Sequence, residues 1–338
     1  TMTRFTGVRV FEVALILPLA FPAYVLAYAY TYVLDHPGIV QSSLRQVTGW
    51  GPRDYWFPEI RSLGGAAMML VLVLYPYVYL LARAAFLQQT GGAFLAARAL
   101  GKSAFEAFWR VSLPMARPAI ASGVLLAVME TIADFGTVSY FGVQTFATGI
   151  YTSWFSMGDR AGAAQLALCL LSFALVLAVV ERSTRGKARY HQAGKQHAAM
   201  APADLKGAPA VGAWVLCALP VCLGFLLPVF ILFNMGLQSE QNLFSRRYVG
   251  FLQNSVTLAT LAAMITVLAA ICLGFYQRLH PGRPSATAAS MSRLGYAVPG
   301  GVIAVGLMVP FAAFDNAFDA WMRANFEIRT GLLSTGSI

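Results

Sequence analysis

The sequence predicts an all-α polytopic membrane protein, and three observations carry that prediction. Of its 338 residues, 58% are hydrophobic and only 11% charged, whereas an ordinary soluble domain is about 25% charged. Seven runs, 12–34, 66–87, 119–141, 161–180, 211–236, 252–276 and 294–314, approach or exceed the roughly 20 mostly apolar residues that a helix needs to cross the hydrocarbon layer. The runs are continuous rather than alternating. That suits helices with internally satisfied backbones and not the short alternating strands of a barrel.

The net charge of +10 does not read as a nucleic-acid surface once its distribution is examined. With residue 1 cytosolic and seven alternating spans, 16 Lys and Arg fall on the cytosolic side and eight on the other. The acidic residues outside the spans reverse this, with three cytosolic (Glu106, Glu181 and Asp204) and eight outside. Such a positive-inside bias is a topology signal, with attraction to the membrane surface as a further contribution. Cys169, Cys217, Cys222 and Cys272 lie in apolar runs without metal-ligand spacing and read as small buried hydrophobes. The opening TMTRFTG and the closing GLLSTGSI suggest a piece of a longer chain.

In chain order, the first run, 12–34, contains Pro18 and Pro22 and is expected to kink there, with Pro22 a candidate for lining a substrate path. The second, 66–87, contains Pro76. Residues 93–113 are rich in helix formers, and Phe105, Phe108 and Trp109 share one helical side. Lys102, Glu106 and Arg110 form a row at i, i+4 and i+8. This pattern predicts one or two short amphipathic helices at the cytosolic surface, ended by Pro114 and Pro118.

The third run, 119–141, carries Glu130 and Asp134 four residues apart, hence on one helical face. Burying carboxylates in hydrocarbon is costly. Two uses compete for this pair: a structural network with Tyr, Thr or backbone partners, and the path of a cationic or metal-bearing substrate. Two carboxylates alone are too few ligands for a metal site. After the fourth run, 161–180, comes a basic, polar stretch, 183–210, that reads as a cytosolic linker. Beyond it, 298–304 (VPGGVIA) echoes 21–27 (FPAYVLA), superposing Pro299 on Pro22. Repeated units are a common way to build transporters.

The segment 93–118 resembles the cytoplasmic loop of importer-type ABC transporter permeases. That family's pattern is Glu-Ala-Ala, three residues, Gly, nine residues, an aliphatic residue, one residue and Leu-Pro. Here it reads Leu95, Ala96, Ala97, then Gly101, then Val111, Leu113 and Pro114, with every spacing kept and Leu95 in place of Glu. The stretches METIADFGTVSYFGVQTFATGIYTSWF (129–155) and FPAYVLAYAYTY (21–32) are similar to bacterial ferric-iron permeases, in which two units are fused.

The resemblance implies a type I ABC importer permease fold in a bacterial inner membrane. Residues 1–182 would be the C-terminal four spans of a first unit, 183–210 the linker, and 211–338 the N-terminal three spans of a second, incomplete unit. It implies an ATPase-coupling loop at 93–118, with Leu95, Ala96, Ala97, Gly101, Phe105, Trp109, Val111, Leu113 and Pro114 as contact or shaping residues. Ala96, Ala97 and Gly101 would permit close approach, and Pro114 would redirect the chain. The partners implied are two cytosolic ABC ATPase subunits, an external iron-binding protein and membrane lipid, with no nucleic acid.

No cofactor is expected, since the chain has no Gly-rich sequence ending in Gly-Lys-Ser/Thr; ATP would be bound by the partner, and the chain would not be an enzyme. Thiamine, sulfate and polyamines are the alternative substrates of related importers. An ion-gradient-driven secondary transporter, a membrane enzyme built on Glu130 and Asp134, and a scaffold are the rivals from other classes.

Overall fold

A computed structural model describes residues 3–89, 91–186, 203–239, 245–280 and 282–327. Helix dominates it, and the strand pairing among the described residues is a two-residue parallel bridge, β1 (Thr3–Arg4) with β2 (Ala203–Asp204). Six helices are long and apolar enough to span a membrane, or seven if one bent pair counts as a span.

The first run is that bent pair. Helix α1 (Val8–Ala14) leads into a 3-10 turn (Leu17–Ala20), and α2 (Ala23–Leu34) follows. The axis turns by 90° at the break. The cause is local: a residue before proline is pushed out of the helical region, and Phe21 accordingly sits at φ −87°, ψ 127°. The predicted kink at 12–34 is thus a full break. Beyond α2 lie α3 (Ile39–Thr48) and the long α4 (Leu63–Gln88), which continues past Pro76 without a break.

Next come α5 (Gly91–Ala99) and α6 (Ala104–Ala107), a π-helical turn (Phe108–Ser112), and α7 (Leu113–Ala133). From Ala104 to Ala133 these form one continuous helix of 30 residues, so the expected stops at Pro114 and Pro118 do not occur. Pro114 lacks an N–H, and its ring crowds the carbonyl four residues back, at Arg110. That carbonyl lies in the π turn, whose wider winding accommodates the ring and lets the helix continue. Short helices α8 (Gly136–Tyr140) and α9 (Phe146–Tyr151), a second π turn (Thr152–Ser156) and α10 (Arg160–Gly186) follow.

After the bridge strand β2, α11 (Ala208–Val221), a third π turn (Cys222–Leu226) and α12 (Leu227–Gln238) make one 31-residue helix. Then come α13 (Arg246–Leu279), α14 (Arg283–Ala297) and α15 (Gly300–Phe326). The last span begins after Pro299 and runs to Phe326, rather than covering 294–314. Residues 187–202 of the expected linker 183–210 lie outside the described residues.

The described residues form two compact units. One is drawn from Thr1–Val229 and Pro299–Ile338, the other from Phe230–Val298. In the first unit a core forms where α2, α4 and the end of α8 meet: Leu26, Ala27, Tyr30, Ala66, Met69 and Phe141 are all buried. Small residues bring α7 close to α4. A Cβ at Gly123 would stand 2.7 Å from Val78 Cα, and close backbone approach of this kind is how helices pack in lipid, where water supplies no driving force. Tyr30 Oη donates to the Leu223 carbonyl in the third π turn at 2.8 Å. A smaller core joins Ile150, Ala167 and Leu170, with Val302 and Val305 against it. In the second unit α13 packs on α14, and α13 has no buried residue.

Candidate functional site

The loop that carries the spaced pattern is built by two helix caps back to back. Helix α5 ends in a Schellman closure: Lys102 N–H donates to the Ala97 carbonyl at 3.1 Å, and Gly101 N–H donates to the Arg98 carbonyl at 3.1 Å. Such a closure needs a left-handed residue, and Gly101 supplies it at φ +84°. Nothing in this chain lies within 4 Å of where a Cβ would be, so within the chain it is turn geometry that requires a glycine at 101.

Immediately after, Ser103 caps α6 in a capping box: its Oγ accepts from Glu106 N at 3.1 Å, and its N–H donates to Glu106 Oε2 at 3.4 Å. Glu106 then pairs with Lys102 at 3.9 Å and Arg110 at 3.5 Å, the row anticipated from the spacing. Gln89 Nε2, at the end of α4, donates to the Ser112 carbonyl at 2.9 Å and ties the loop back to the bundle.

This frame sets which side chains face out. Ala107 and Ser112 are buried and Phe108 meets Phe86 at 5.9 Å. Leu95, Leu100, Phe105 and Trp109 stay exposed, Leu100 at 83% and Phe105 at 73%. Ala96 is exposed, and Ala97, Val111, Leu113 and Pro114 are half-buried. The loop residues therefore divide into an inward set that shapes the loop and an outward apolar set standing beside Lys102 and Arg110.

Glu130 and Asp134 do not share a helical face. Helix α7 ends at Ala133, and Asp134 is extended at ψ 126°. Its carboxylate caps α8, accepting from Thr137 N at 3.0 Å, Val138 N at 3.2 Å and Thr137 Oγ1 at 3.1 Å. The first N–H groups of a helix have no intrahelical partner, and a carboxylate is stabilised beside them. Glu130 remains on α7, half-buried. Pro22 stands exposed at the break, and Tyr24, the second residue of α2, abuts Gly136 of α8. Asp134 thus caps the helix whose Gly136 meets α2. Among the described residues no group of three or more His, Cys, Asp or Glu is placed to hold a metal.

Two ion pairs that the sequence did not announce tie the broken span to α4 and to the segment just before it. Arg83 meets Glu12 at 3.0 Å, and Arg61 meets Asp35 at 2.8 Å. Arg61 also donates to the Tyr140 carbonyl at 3.4 Å and lies 5.2 Å from the Tyr140 ring centroid. Tyr140 in turn shares a 2.8 Å hydrogen bond with Thr31. Partial burial pushes the Asp35 carboxyl up, but hydrogen bonds from Arg61 and from His36 N–H outweigh it and hold Asp35 below its ordinary range. Partners far apart in sequence, 26 residues for Asp35 and Arg61, leave no periodic signal to read.

The chain matches the family described as "Binding-protein-dependent transport system inner membrane component" over residues 2–185. It is 26% identical over 90% of its length to the Fe(3+)-transport system permease protein of Haemophilus influenzae, covering 56% of that protein. It is 26% identical to the molybdenum transport system permease of Escherichia coli over 51% of this chain and 74% of that one. It is 28% identical to a probable sulfate transport permease of Chlorokybus atmophyticus over 40% of this chain and 44% of that one. The chain spans about half the length of the first of these relatives, and no solved structure matches it.

Proposed function

The chain belongs to the family of binding-protein-dependent transport system inner membrane components, and from that premise we propose that it is the permease of an ATP-driven ferric-iron importer. It is a multi-pass inner membrane protein. In this reading an external binding protein delivers the iron, and separate cytosolic ATPase subunits seat on the loop 93–118. In this reading that loop, the N-terminal segment and the linker are cytosolic, and the basic excess on that side supports it. The observation that carries the coupling role is the exposed apolar set Leu95, Leu100, Phe105 and Trp109 on a doubly capped frame. Closure of the ATPases would move this frame, and the continuous helix from Ala104 to Ala133 would pass the movement to Glu130 and the cap at Asp134. Pro22, at the break, lines the path in this reading.

Iron is favoured over molybdate or sulfate by the long match to the Haemophilus ferric permease, 319 residues, against shorter matches to the others. The test is uptake of radiolabelled ferric iron into proteoliposomes that hold the permease with its ATPase and binding protein. ATP-dependent uptake is expected. Replacing Gly101 by Val places a β-branched residue at φ +84°, where it is strongly disfavoured, and uptake is expected to fall at least tenfold while iron binding by the external protein persists. Transport of molybdate or sulfate instead of iron would overturn the substrate, and uptake without ATP would overturn the coupling.

A further inference from the structure

We propose that the basic end of the first unit holds an anionic phospholipid, its phosphate against Arg4, Arg9 and Lys206 and an acyl chain in the adjoining cavity between α1, α4 and α11. Two cavities meet there. The wider, about 790 Å³, is lined by the bridge strands and the start of α1, with Arg4, Arg9 and Lys206 in its wall. Its acidic members are Glu12 and Asp204, and Glu12 is engaged by Arg83 at 3.0 Å, so the cavity keeps a positive excess. The three cations are exposed.

The narrower cavity, about 330 Å³, shares Thr3, Phe5, Val8 and Glu12 with the first. Its walls are mainly apolar, among them Phe11, Leu15, Phe86 and Leu216. Arg83 also lines it, and Arg83 Nε is enclosed without a hydrogen-bond partner. An unsatisfied guanidinium N–H beside such walls is costly and favours an occupant that brings an oxygen acceptor at one end and hydrocarbon behind it.

A free phosphate fits the cations but leaves the apolar chamber unfilled. A zwitterionic lipid brings its own cation against Arg4 and Arg9. An anionic phospholipid satisfies both halves, and basic pockets between membrane helices on the cytosolic side recognise such headgroups. The site is separate from the loop 93–118 and does not depend on the transport reading.

The test is native mass spectrometry of the full chain in a neutral detergent, titrated with phosphatidylglycerol, phosphatidylcholine and inorganic phosphate. One saturable phosphatidylglycerol adduct is expected, with phosphatidylcholine weaker by about tenfold and inorganic phosphate unable to compete. The double variant Arg4→Gln, Arg9→Gln is expected to weaken the adduct on the order of tenfold. Ala213→Phe, which narrows the apolar chamber, is expected to abolish it; Leu216→Trp serves if that variant does not fold. Equal binding of the two lipids, competition by phosphate, or unchanged affinity in the charge variant would each overturn the proposal.

Discussion

Helix α2 starts after Pro22 at φ −61°, ψ 129°, and α15 starts after Pro299 at φ −59°, ψ 141°. In both, the residue before the proline is extended: Phe21 at ψ 127° and Val298 at ψ 118°. The echo between 21–27 and 298–304 is therefore a shared piece of local geometry, two helices launched by the same proline chemistry. Their surroundings differ. Helix α2 buries Leu26, Ala27, Ala29, Tyr30 and Thr31, whereas α15 contributes Val302 and Val305, only partly buried, to the smaller core and leaves Ile303, Leu307 and Met308 exposed. Local chemistry thus decides where a helix begins, and what packs on it decides how much of it is core.

The comparison can be broken most forcefully by truncating one side chain in each helix. Leu26 has no exposed surface, so Leu26→Ala is expected to destabilise the first unit by about 2–5 kcal/mol through lost packing and the cavity left behind. Ile303 is 42% exposed, and Ile303→Ala should cost less than about 1 kcal/mol. Denaturant unfolding in detergent measures both. Equal losses would mean that α15 is as deeply packed as α2.

A smaller effect sharpens the same point at glycines. A Cβ at Gly136 would stand 3.2 Å from Tyr24 Cβ on α2, while nothing lies within 4 Å of one at Gly301 on α15. Gly136→Ala is therefore expected to lower stability by roughly 1 kcal/mol by forcing α8 off α2. Gly301→Ala should be neutral or stabilise by about 0.5 kcal/mol, because the unfolded chain loses freedom. The same unfolding curves decide it, and a Gly136 variant as stable as the parent would count against the close α2–α8 contact.

The smallest expected effect concerns the end of α2. Asp35 is held below its ordinary range in the folded chain, so its pairing with Arg61 stabilises fully above the unfolded carboxyl value. That stabilisation fades as pH falls through the lowered folded value. Both side chains are partly exposed, 44% and 27%, which limits the pair to about 0.5 kcal/mol. In Asp35→Asn the acid-side loss of stability should shrink by that amount, and an unchanged pH profile would show that Asp35 contributes nothing.

The loop shows the same division between what spacing reveals and what packing decides. The Lys102, Glu106 and Arg110 row was legible because i, i+4 neighbours meet on any helix, and it is present as ion pairs. The stop at Pro114 was misread because the π turn that accommodates the ring has no sequence signature of its own. Asp134 was misread for a related reason: the sequence shows a carboxylate four residues after Glu130 but not that α8 starts just beyond and offers N–H donors to it.

The sequence by itself determined the apolar helical spans, the basic bias between their ends, the spaced loop pattern and the proline starts of α2 and α15, because each depends on composition or on neighbours within a turn or two. Only the tertiary structure decided that 12–34 turns by 90°, that Arg83 and Arg61 clasp Glu12 and Asp35, and that α13 buries nothing while α4 is core. Apolar runs look alike whether they face lipid or protein. Which face is covered depends on contacts between residues far apart in the chain.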